Sequence, residues 1–90
     1  MDGNPSLARL FQRVQESNAR LERVLPLLPT ALQSHVRAGP VDEAGWSLLA
    51  SNTAVAAKLR HLLPLIDNVL LEAGWPPTAI RIKVQPPLAG

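Results

Sequence analysis

The chain contains no cysteine, so it has neither a disulfide framework nor a thiolate metal site. A short domain without such staples must rest on its hydrophobic core, as proteins of a reducing cytoplasm do, and that compartment is the expected one. Aromatic residues are almost as scarce. Phe11, Trp46 and Trp75 are the whole set, too few for the ladder of stacking rings that a strong single-strand platform uses. The opening Met1-Asp2-Gly3-Asn4-Pro5 has neither a cationic nor an apolar leader segment, and apolar runs such as Leu62 to Ile66, Pro64 counted, fall far short of the about 20 residues that a span needs. Secretion and membrane insertion are therefore not expected. There is no Gly-x-Ser-x-Gly elbow and no glycine-rich phosphate loop, and the adjoining carboxylates Asp42 and Glu43 fall in a predicted turn. No constellation for catalysis or for a small-molecule substrate is present. His35 and His61 stand far apart, with no His-x-x-x-His or Glu-x-x-His pair, so neither a metal nor a cofactor is expected.

What the chain does have is the material for one small globular domain. Its 90 residues bury about 60% of the surface that the unfolded chain exposes, which makes for a thin core. Hydrophobic residues at 47% against charged residues at 18% exclude a disordered or polyionic tail. A net charge of +2 permits an anionic partner only if the cations cluster.

Leu7, Leu10, Phe11, Val14, Leu21, Val24 and Leu25 recur at helical spacing behind Asn4 as a cap and Pro5 at the first helical position. Pro26 and Pro29 end this helix near Val24, and Pro29 opens a short second helix through Leu32. From His35 the period falls to two. Val36 and Ala38 alternate with Arg37, and Trp46, Leu48 and Ala50 alternate with Ser47 and Ser51. Residues 39–45 supply the turn of an antiparallel hairpin, with Pro40 at an edge or bulge.

Ser51 or Asn52 then caps a long helix with a buried stripe of Val55, Leu59, Leu62, Ile66, Val69 and Ala73, bent at Pro64 and ended by Gly74. Ile80, Ile82 and Val84 alternate with Arg81, Lys83 and Gln85 in the clearest strand of the sequence. The pattern predicts an α+β fold of order α-α-β-β-α-β, a three-stranded sheet with helices on one face. Residues 1–25 form an amphipathic N-terminal helix, residues 26–86 the α+β domain and residues 87–90 a short tail.

If the aliphatic side of each strand meets the helices, Arg37, Arg81 and Lys83 share the opposite face, where phosphate is the natural counterion. Arg9, Arg13 and Arg20 fall along one side of the first helix, with Glu16 placed to pair with Arg20, and the apolar stripe beside them can dock on a partner if the small sheet leaves it uncovered. Lys58 and His61 mark the polar face of the long helix, a second candidate for protein contact. Trp46 and Trp75 are expected to pack in or at the edge of the core.

The stretch from Leu49 to Arg60, LASNTAVAAKLR, and the closing AIRIKVQP from Ala79 to Pro86 resemble the DciA family, bacterial proteins that associate with the replicative helicase. The resemblance extends from about Leu21 to Pro86 and includes Leu27-Leu28-Pro29. It implies a KH-like domain that contacts the replicative DNA helicase, assists its loading and has some affinity for DNA, with single-stranded DNA as a candidate partner. Gly39 and Gly45 do not have the Gly-x-x-Gly spacing with which KH domains clamp a backbone, so any nucleic-acid contact would use side-chain cations instead. The competing expectation is a structural interaction or dimerisation module without nucleic acid.

Overall fold

The computed structural model describes residues 5–86, which form an α+β fold around one three-stranded sheet. Helix α1 spans Pro5–Val24. Asn4, its expected cap, lies outside the described residues. The helix stops where Pro26 and Pro29 remove successive backbone donors, giving way to a 3-10 turn over Leu25–Leu27 and a single turn, α2, over Thr30–Gln33. The Leu25 carbonyl accepts from the Leu28 N–H at 2.9 Å, a 3-10 bond that closes the turn. Gln33 Nε2 also donates, to the Leu25 oxygen at 3.0 Å and to the Leu28 oxygen at 3.2 Å, and so ties the double-proline corner together.

Strands β1 (Val36–Asp42) and β2 (Gly45–Ala50) form the expected antiparallel hairpin, but the turn is shorter than residues 39–45. β1 continues through Gly39 and Pro40 as a bulge between Ala38 and Val41, and Asp42 pairs directly with Gly45. Only Glu43 and Ala44 turn the corner. Asp42 Oδ1 holds them by accepting from the Ala44 N–H at 2.8 Å and the Gly45 N–H at 3.1 Å, a side-chain substitute for a backbone turn. Pro40 is tolerated because β1 is an edge strand and the bulge leaves its missing N–H outside the ladder.

Asn52 caps α3 (Thr53–Glu72), its side chain accepting from the Val55 N–H at 2.9 Å. The helix runs unbroken through Pro64, and Gly74 follows its end with φ +95°. β3 (Ile80–Val84) lies parallel to β2, with Trp46 opposite Ile80 and Ala50 opposite Val84. The strand order is therefore β1-β2-β3, with α3 as the crossover between the two parallel strands. Gly45 carries φ +138°, and a side chain there would meet the Ala79 carbonyl that accepts from the Trp46 N–H at 2.8 Å. Glycine is required where β3 joins the sheet.

The core lies between one sheet face and the helices. Trp46, Leu48 and Ala50 of β2 and Val36 of β1 pack with Val55, Ala56, Leu59, Ile66 and Leu70 of α3 and with Val24 and Leu28. Full burial of a leucine or isoleucine contributes roughly 1.5–3 kcal/mol, so Leu48, Leu59 and Ile66, fully enclosed together with the larger Trp46, dominate this small core. The buried stripe of α3 differs from the expected one: Leu62 and Val69 are half-buried, Leu70 is buried, and Ala73, the C-cap residue beyond the last helical turn, is exposed. Trp46 is wholly buried and donates its indole N–H to Ser17 Oγ at 2.9 Å, which in turn donates to the Gly39 carbonyl at 2.5 Å. These bonds dock the middle of α1 onto the bulge of β1.

Candidate nucleic-acid interface

The strand register decides which charges meet. Arg37 of β1 is opposite Leu49 of β2, and Leu49 is opposite Lys83 of β3, so the three lie in one row across the sheet. Ser47 and Arg81 form the next row, and Asp42 sits at the hairpin end of the same face. Directly paired residues project to one side of a sheet, which places Arg37, Arg81 and Lys83 together on the side away from Trp46, Leu48 and Ala50. All three are exposed. Arg37 and Lys83 stand two strands apart, about 9–10 Å between their backbones.

The three cations are not equivalent. Arg81 Nη2 lies 3.5 Å from each Asp42 oxygen, with both side chains a little under half exposed. Sequence reasoning treated Asp42 as a turn carboxylate and missed this pairing, since only the register brings residue 42 next to residue 81. Arg37 and Lys83 have no acidic partner among the described residues. Ser47 is enclosed although it belongs to this face, and its hydroxyl has no hydrogen-bond partner. Gly39 on the neighbouring strand packs tightly enough that a Cβ would lie 2.9 Å from the Ser47 carbonyl oxygen. The middle of the face is thus tightly packed, and the charged groups are those of the two outer strands.

The residues expected to contact a protein partner separate into three places. Lys58 and His61 are exposed on α3, the element packed on the opposite side of the sheet from the strand cations. Arg9 is exposed and Arg13 half-buried on the N-terminal half of α1. Arg20 does not belong with them. It is only 4% exposed, its guanidinium stacks 4.5 Å above the Trp75 ring, and it borders a cleft with Asp67, Leu70 and Pro76. The expected surface pair with Glu16 stretches to 3.9 Å, and Nε and Nη1 of Arg20 are buried without hydrogen-bond partners. The C-terminal half of α1 is packed inward at Ser17, Arg20 and Val24 while its N-terminal half is not, so three arginines at helical spacing do not make one solvated face.

Among the described residues there is no group of three histidine, cysteine or acidic side chains able to hold a metal ion, and no helix is long and apolar enough to cross a membrane. What the arrangement can do chemically is offer fork and point-charge donors to an anion lying across the sheet. No family model matches this chain, and no curated protein matches it either.

Proposed function

We propose that this protein is a non-enzymatic, cytoplasmic binding module of the DciA type, with a KH-like domain that associates with the bacterial replicative DNA helicase and assists its loading. It binds single-stranded DNA weakly through Arg37, Arg81 and Lys83. The observation that carries the reading is the register, which gathers these three cations onto one sheet face away from the helices. The element order that the family resemblance implies is also the order of the fold.

The affinity is modest because, of the three, only Arg37 and Lys83 have no carboxylate partner among the described residues, and no aromatic residue lies on the face to stack a base. Two phosphate contacts give a slope of about −1.4 for log K against log salt concentration, at about 0.7 per contact on a single strand. Fluorescence anisotropy with a labelled oligonucleotide over a salt series measures that slope, and a pull-down with the purified replicative helicase tests the protein contact. A salt-independent signal, or one untouched by Arg37→Ala with Lys83→Ala, would remove the nucleic-acid half of the proposal; no helicase capture would remove the other.

A second reading, protein contact without nucleic acid, is favoured by the apolar side of α1, whose N-terminal half the sheet does not cover. Retained helicase capture with no oligonucleotide signal at low salt would select it.

A further inference from the structure

Leu7, Leu10, Phe11 and Val14 are 64%, 60%, 64% and 51% exposed. They occur at i, i+3, i+4 and i+7 and so form a single seam about two turns, or 10 Å, long. The seam does not end in open solvent. Leu10 and Val14 continue into a groove of about 410 Å³ between α1 and the bulge of β1, whose other wall includes Ala38, Pro40, Val41 and Leu49. Helix and bulge are held at this separation by the Ser17 hydrogen bonds to Trp46 and Gly39, so the groove is part of the fold.

On α1 the charges beside the seam are of one sign, while the far wall of the groove carries the carboxylate of Asp42, which is paired with Arg81. Arg9 and Arg13 are the only ionisable residues between Pro5 and Gln15, and no acidic residue occupies the first turn, where the helix dipole is itself positive. A second copy of this chain laid on the seam would bring two such pairs of arginines together. Nucleic acid would satisfy the arginines but leave the leucines and Phe11 in water. A membrane surface is recruited by larger basic clusters, of about four to eight cations.

We propose that the N-terminal half of α1, with the adjoining β1 bulge, is a seat for one amphipathic helix of a partner protein whose apolar seam is flanked by acidic residues. The inference rests on reading the chain as a binding module and names the chemistry of its protein partner. It is independent of the sheet cations.

The probe is a fluorescein-labelled synthetic helix of about three heptads with leucine along one seam and glutamate beside it, compared with the same peptide carrying lysine for glutamate. The glutamate peptide binds saturably and the lysine peptide does not. Phe11→Asp, at an exposed position and with an unchanged melting curve, weakens binding roughly tenfold or more, and Arg9→Glu with Arg13→Glu reverses the preference between the peptides. Neither variant alters oligonucleotide binding, and Arg37→Ala with Lys83→Ala leaves peptide binding intact, so failure of the seat and failure of the DNA reading are separate results. Equal binding of both peptides, no binding of either, or indifference to Phe11→Asp overturns the proposal. So does a dimer in sedimentation that Phe11→Asp dissociates, or cosedimentation with phosphatidylglycerol vesicles in the absence of peptide binding.

Discussion

Two serines, both buried, show how little residue type says about energetic role. Ser17 Oγ accepts from the Trp46 indole and donates to the Gly39 carbonyl, whereas Ser47 Oγ is enclosed with no partner. A buried donor left unpaired costs about 1–3 kcal/mol, while removal of a hydroxyl that was never satisfied relieves a penalty. Ser17→Ala is therefore expected to lower stability by about 1–3 kcal/mol in urea denaturation. Ser47→Ala is expected to be neutral or stabilising by up to about 1 kcal/mol. Equal losses from both would mean that the enclosed hydroxyl of Ser47 finds an acceptor after all. Arg20 makes the same point for charge. Stacking on Trp75 holds a guanidinium in the core, yet that stacking supplies no acceptor for its in-plane N–H groups.

α3 remains helical through Pro64 because the defect faces water. Pro64 and Arg60, whose carbonyl loses its hydrogen bond, are both exposed, so solvent takes the place of the missing donor. Pro64→Ala restores that bond and should raise stability by about 1–3 kcal/mol, read as a shift of the denaturation midpoint. A lower midpoint would mean that the proline shapes the packing of α3 on the sheet. α1 has the opposite character, one helix with two environments. Its second half is locked down by Ser17, Arg20 and Val24, all buried, and its first half presents the uncovered seam. A sheet of three short strands cannot cover a helix of 20 residues from end to end.

Across the molecule, the hairpin turn and the third strand meet at Asp42, which both closes the turn and pairs with Arg81. On the proposed DNA-binding reading, its carboxylate competes with a phosphate for Arg81. Asp42→Asn keeps the acceptor oxygen for the Ala44 and Gly45 N–H groups but removes the competing charge. With Arg81 released, oligonucleotide affinity should rise and the salt slope should steepen from about −1.4 to about −2.1, one further contact. An unchanged slope in an intact fold would show that Arg81 does not face the bound strand.

The order of elements could be read from periodicity, since a 3.6-residue repeat gives way to alternation at His35 and returns after Asn52, and prolines and Gly74 mark the ends. Such signals are local: each reflects how one segment would divide its own side chains between core and water. That Arg37, Arg81 and Lys83 would share a face also followed from alternation once the strands were set side by side. Register, however, is a relation between segments, and it alone made Asp42 the neighbour of Arg81 and moved the turn to Glu43 and Ala44. Coverage is likewise a property of the assembled layers. Arginines at positions 9, 13 and 20 look alike along the chain, but only the way the layers cover the second half of α1 buries the last and leaves the apolar seam beside the first two in solvent.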